Sequence, residues 1–155
     1  MPLVLPNGTL LVLAPLSGVT AFELTPYAAR GLTQTLELIG ASGQNSWTRR
    51  DVNAVLRSVA DVRFRKYRST ISCRDGETPC LDGGWIGEEV EVSCVAELSY
   101  PTGATPQRPA VSGSERTQGS FTYYRPVLQM MVTAINNGFQ EYPSIYNWSI
   151  TLEEV

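Results

Sequence analysis

The chain contains no histidine. That removes the imidazole on which Ser-His-Asp and Cys-His nucleophiles depend, the usual general base near neutral pH, and His-ligated zinc. Lysine is almost as scarce, because of the twelve cationic residues only Lys66 is a lysine and the others are arginines. With a net charge of −3 and a pI near 5.0 there is no overall basic field to hold a polyanion, so no specific nucleic-acid binding is expected. Cysteine is limited to Cys73, Cys80 and Cys94. An odd count does not complete a disulfide framework, and three thiolates at these spacings without histidine do not form a zinc site. Cys73 and Cys80 flank a turn-rich loop and are read as reduced thiols, while Cys94 falls on an apolar strand face as a small core residue. Long apolar runs are missing as well. The opening MPLVLPNGTLLVLAPLSG has no cationic lead and is broken by Pro6, Gly8 and Pro15, so neither a signal peptide nor a membrane anchor is expected.

What is present is alternation. A chain of 155 residues, 43% hydrophobic and 17% charged, is one ordinary globular domain. In 145–155, Tyr146, Trp148, Ile150 and Leu152 alternate with Asn147, Ser149, Thr151 and Glu153, the period of a strand with one apolar face. Residues 121–135 read as a second long strand that is apolar on both sides. Tyr123, Val127, Met131 and Ile135 share one side, and Leu128, Met130, Val132 and Ala134 the other. Such a strand is covered on both faces, by its own domain or by a neighbouring subunit. Asn136-Asn137-Gly138 is taken as the loop between the two. Further strands are read at 9–13, 32–39, 62–73 (with a bulge between Arg65 and Lys66) and 88–100. In the last of these, Val90, Val92, Cys94, Ala96 and Leu98 point inward. The 47–59 stretch fits a helix capped by Ser46 or a hairpin with Asn53-Ala54 at its tip, and the strand-like surroundings favour the hairpin. Residues 74–87 and 101–118 are rich in turn formers and read as loops.

The expected fold class is therefore all-β, a single-domain β-sandwich or barrel-like sheet with long loops and little helix. Residues 1–31 form an irregular N-terminal segment packing on the domain or a neighbour. Residues 32–155 form the β domain, with a long polar loop at 101–118.

No catalytic constellation is found. Asp75, Glu77, Asp82, Glu88 and Glu89 crowd one loop without EF-hand spacing and read as turn chemistry, so no metal is expected. Trp85, among glycines, reads as a plug at the end of a sandwich. The basic cluster is Arg57, Arg63, Arg65, Lys66 and Arg68. Its plain reading is a solvated strand face partly neutralised by Glu89, Glu91 and Glu97 across the sheet. If the two faces do not meet within a subunit they meet between subunits, which makes Arg63, Arg65, Arg68, Glu89 and Glu91 the candidate intersubunit contacts.

Six segments, RGLTQTLELI, TRRDVNAVL, FRKYRSTISC, WIGEEVEVSCVAELSYPTG, FTYYRPVLQMMV and the closing WSITLEEV, follow one another over residues 30–155. In this order they resemble a family of small structural proteins of tailed bacteriophages, virion proteins of the tail region. The resemblance implies a non-enzymatic subunit of a symmetric assembly with no cofactor. Its partners would be itself, in a ring or tube, and other phage structural proteins, without a membrane. Its place would be the virion, and the host cytoplasm during assembly. The alternatives are a capsid decoration protein and a sugar-binding β-sandwich using Trp85 or Tyr123/Tyr124.

Overall fold

The computed structural model describes residues 10–16, 32–40, 47–61, 63, 65–76 and 84–155. They form eleven strands and no α-helix, so the protein is all-β as expected. The strands are β1 (Val12–Pro15), β2 (Thr33–Leu38), β3 (Thr48–Arg50), β4 (Leu56–Ser58), β5 (Tyr67–Gly76) and β6 (Glu89–Ser93), followed by β7 (Leu98–Pro101), β8 (Arg116–Gln118), β9 (Phe121–Tyr124), β10 (Val127–Gln140) and β11 (Ile145–Glu154).

Six of them form a curled, half-barrel sheet in the order β1-β6-β10-β11-β5-β2, antiparallel throughout. Alternation decides its inner face. Ile71 and Cys73 of β5, Val90 and Val92 of β6, Leu128, Met130 and Val132 of β10, and Trp148, Ile150 and Leu152 of β11 are all buried in one core with Leu11, Leu13 and Cys94. Each such side chain contributes about 1.5–3 kcal/mol when fully withdrawn from water.

The apparent double face of β10 has a local cause. Its register with β11 shifts between Val132 and Ala134. The extra residue, Thr133, bonds through its hydroxyl to the Thr151 carbonyl at 3.1 Å. A one-residue bulge exchanges inside for outside. Before it the even residues Leu128, Met130 and Val132 face the core; after it Ile135 packs against the core opposite Ile150. The strand is thus apolar on one face that changes phase, with Val127 and Met131 half-buried on the other.

Several boundaries differ from expectation. Asn136-Asn137-Gly138 is strand, and the hairpin turns instead at 141–144. Arg74 belongs to β5 rather than to a loop. The strand near the start is Val12–Pro15, displaced along the chain from 9–13. The runs 88–100 and 121–135 are each cut in two, at 94–97 and at Arg125-Pro126, because the chain leaves the large sheet and returns to it there. The excursion is a three-stranded sheet, β7-β9-β8. The two crossing points are tied by Cys94 N–H donating to the Pro126 carbonyl at 3.0 Å. Proline lacks the donor that would let the ladder run straight on. The polar loop at 101–118 is fastened rather than free: Val127 N–H donates to the Pro109 carbonyl and Val111 N–H to that of Arg125, both at 2.8 Å.

The 47–59 segment is the hairpin β3–β4. Asp51 holds its turn, accepting the N–H groups of Asn53 and Val55 on Oδ1 and the Arg57 guanidinium on Oδ2, while Ala54 adopts a left-handed φ of 61°. Arg57 in turn keeps the Asp51 carboxyl below the usual range. At the foot of the hairpin, Trp47 Nε1 donates to the Ile39 carbonyl at 2.9 Å. The indole lies against Gly40, where a Cβ would run into the ring and where φ is 88°.

One polar side chain sits in an otherwise apolar row. Gln34 follows Leu32 and precedes Leu36 on the inner side of β2. Its Nε2 donates to buried Ser69 at 2.9 Å, and its Oε1 accepts the N–H groups of Val95 (2.6 Å) and Ala96 (3.1 Å). The bond joins one edge of the curled sheet to the turn that follows β6. We predict that Gln34→Leu lowers unfolding free energy by about 2–4 kcal/mol, since two backbone donors lose their acceptor. Gln34→Glu keeps that oxygen but places a carboxylate on the inner side without a counter-charge, so it should cost at least as much at neutral pH and less at about pH 4, where the carboxyl takes up a proton. Urea unfolding of the three proteins checks the order.

Candidate functional site

Charged residues gather where β2, β5 and β11 share one end of the large sheet. Across its outer face one transverse row reads Glu89, Met131, Glu153, Arg68, Glu37 from β6 to β2. Arg68 donates through Nε and Nη2 to Glu153 Oε1 at 2.9 and 2.8 Å, and its Nη1 lies 3.5 Å from Glu37. The acidic partners of β5 are therefore Glu153 and Glu37, not Glu89 and Glu91 as expected. Two strands separate β6 from β5, about 14 Å at the ordinary interstrand spacing. Glu97 is also engaged elsewhere, accepting Arg116 Nη2 at 2.8 Å, and that arginine holds its carboxyl below the usual range.

The five candidate contacts therefore divide. Arg63 forms a fork with Asp61, with contacts of 2.7–3.2 Å, and depresses the Asp61 carboxyl. Arg68 is held between two glutamates. Arg65 is exposed and its side chain has no ion pair among the described residues, although its carbonyl accepts Arg108 Nη2 at 2.9 Å. Glu89 and Glu91 lie on the outer face, the first exposed and the second half-buried, also without an ion pair among the described residues.

The tightest pair is one that sequence reasoning missed. Arg108, from the polar loop, places Nε 2.6 Å and Nη2 3.0 Å from the two oxygens of Glu154. The Glu154 side chain is only 9% exposed and also accepts the Tyr67 N–H at 3.0 Å. The Arg108 guanidinium lies 5.6 Å from the centre of the Tyr67 ring. A signal existed. Glu154 has the parity of Ile150 and Leu152, and a carboxylate on the apolar side of a strand requires a counter-charge.

Beside this pair is a basin of about 580 Å³ whose walls include Tyr67, Tyr100, Tyr124, Glu97 and Arg108. Tyr100 and Tyr124 meet edge to face, with centroids 5.5 Å apart. Burial raises the Tyr124 phenol above its ordinary value. Tyr123 lies outside the basin under Arg116, whose guanidinium is 4.5 Å from its ring centre. Trp85 does not plug the sheet, for it stands 72% exposed. Cys73 and Cys94 are free, buried thiols; Cys80 and the acidic residues Glu77 and Asp82 lie outside the described residues. No group of three metal-ligating side chains converges among the described residues. Nor is any helix among them long and apolar enough to cross a membrane.

No protein-family model, curated protein or solved structure matches the chain.

Two outcomes are expected from this geometry. Arg108→Ala leaves a nearly buried carboxylate without its counter-charge and should cost about 3 kcal/mol in urea unfolding. Arg108→Lys, a single donor in place of a fork, should fall between it and the parent. The second concerns Cys94, whose thiol is pushed by burial from 9.0 up to about 11. Above pH 9 the unfolded chain ionises first and binds fewer protons than the folded one. Cys94 therefore lowers stability as pH rises from about 9 to about 11, at up to roughly 1.4 kcal/mol per pH unit. Comparing the alkaline slope of the parent with that of Cys94→Ala isolates this contribution, and the variant should show the shallower slope.

Proposed function

We propose that the chain is a structural subunit of a tailed-phage virion, a tail component such as a tube, tail-tip ring or head–tail connector subunit, acting by symmetric self-assembly. Together with the sequence resemblance, one observation supports this reading. The β3–β4 hairpin pairs with no other strand among the described residues, yet carries Val52 fully exposed and Val55, Leu56 and Val59 more than half exposed. A lone two-stranded hairpin is marginal in water, and apolar side chains left exposed on one suit a site of interaction. A capsid decoration protein remains the alternative within the same class.

A second reading, a sugar-binding β-sandwich, draws on the basin, where Tyr67, Tyr100 and Tyr124 share one concavity. Aromatic rings beside polar groups suit a sugar's mixed surface. Sugar titrations that shift the ring resonances of Tyr100 and Tyr124 would favour it.

The first reading is tested by immunogold electron microscopy of purified virions, with antibody raised against the recombinant chain. Label on the tail or at the neck is expected. Uniform label over the capsid would transfer the chain to the decoration proteins. Unlabelled virions, with the antigen accessible in controls, would overturn the virion assignment.

A further inference from the structure

We propose that two copies of this chain join head to tail, the aromatic tip of the β10–β11 hairpin of one entering an apolar cup at the opposite end of the sheet of the next. This rests on the self-assembly reading and assigns its surfaces.

The tip is built by strands that outrun their core. Beyond Trp148 the inner row continues as Phe139 opposite Tyr146, with ring centroids 4.6 Å apart, and among the described residues no buried row receives them. Phe139 is 56% exposed, and Tyr142 in the turn is 90% exposed. The cup has a volume of about 220 Å³ and is formed by Leu38, Ile39, Trp47 and Ala60, with Asp61 and Arg65 at its rim. Its size suits one aromatic side chain. Leu38 is half exposed beside it.

Topology keeps the two apart within one subunit. Leu38 pairs with Tyr67 at the start of β5, and Tyr146 pairs with Gly76 at the far end of the same strand. Nine steps of extended chain separate them, about 30 Å. A plug and a socket on opposite ends of one rigid sheet make a heterologous contact, which closes into a ring or runs on as a tube.

Charge selects the same pairing. Residues 47–68 carry seven cations against two aspartates, Asp51 and Asp61. Each of these is taken by its own neighbour, Arg57 or Arg63, leaving Arg65 at the rim without an ion pair among the described residues. In 133–147 the one charged residue is Glu141, next to Tyr142, exposed and likewise without an ion pair among the described residues. Tip against cup brings Glu141 toward Arg65. Tip against tip, or cup against cup, sets like charges together.

The test is sedimentation velocity of the full chain over a concentration series, with circular dichroism and urea unfolding to confirm that each surface variant keeps its fold. Tyr142→Ser should weaken association about 30-fold, as the loss of a central aromatic anchor does. Arg65→Glu and Glu141→Arg should each weaken it about tenfold. The double exchange should recover most of that loss. If Tyr142→Ser leaves association unchanged, or if Glu89→Arg or Glu91→Arg rescues Arg65→Glu in place of Glu141→Arg, the tip-and-cup contact is overturned while self-assembly stands. A parent chain that remains monomeric at every concentration overturns both.

Discussion

A single amide holds the curl of the large sheet. An open antiparallel sheet twists, and strands on its far sides drift apart unless something spans them. Here the span is Gln34 on β2, which takes the N–H groups of Val95 and Ala96 just after β6 while anchoring itself on Ser69. The acceptor serves two donors that no strand could satisfy, since the chain is turning out of one sheet toward another at that point. In the low dielectric beside Cys94 such bonds are stronger than in water, and their loss is correspondingly expensive. The core assembled by Ile71, Val92, Met130 and Ile150 lies on the inner face of the sheet that this bond bridges.

The remaining polar chemistry is largely spent in the same manner. Arg108 and Glu154 fasten the polar loop to the end of the sheet, Arg68 fills the gap between Glu153 and Glu37, and Arg116 bridges Glu97 while covering Tyr123. Pairs that are more than a third exposed contribute little to stability individually. Their effect is on shape, since each fixes a loop or strand end that the short strands leave loose. What remains is partly charged, with Arg65, Glu89, Glu91 and Glu141 outside any ion pair among the described residues, and partly apolar: the β3–β4 hairpin, the cup at Trp47 and the aromatic hairpin tip. Open apolar ends of this kind are the surfaces that the proposed assembly would use.

Period-two alternation made the strands of β2, β5, β6 and β11 legible, with the correct inner residues in β6 and β11, and the strand-like surroundings of 47–59 favoured the hairpin found as β3–β4. What alternation does not encode is where a strand changes sheet. The rows Val90–Leu98 and Phe121–Ile135 keep a hydrophobic rhythm through points where the backbone bends away, because residues on both sides of each bend still face apolar neighbours. The Thr133 bulge was hidden in the same way: a phase change looks like a second apolar face until the partner register is known. Pairing between distant charges was equally hidden. Arg68 was matched to the acidic strand β6 because both read as strand faces, whereas β10 and β11 lie between. The Arg108–Glu154 pair was missed as well, although the parity of Glu154 with Ile150 and Leu152 marked a carboxylate on the apolar side of β11.

The order of strands in the large sheet sets a schedule for synthesis. β11 is the last of the described strands but lies inside the sheet, where among the described residues it is the one strand that joins the ladder β1-β6-β10 to the ladder β5-β2. A nascent chain that has emerged as far as residue 144 holds two half-sheets with no ladder between them, and the inner face of each lacks Trp148, Ile150 and Leu152. The large sheet can therefore be complete only after the ten residues of β11 have been made. Until then the hairpin tip does not exist, because β11 supplies one of its two sides. A copy lacking β11 would present neither a finished core nor the hairpin tip, so only completed chains could make the proposed head-to-tail contact.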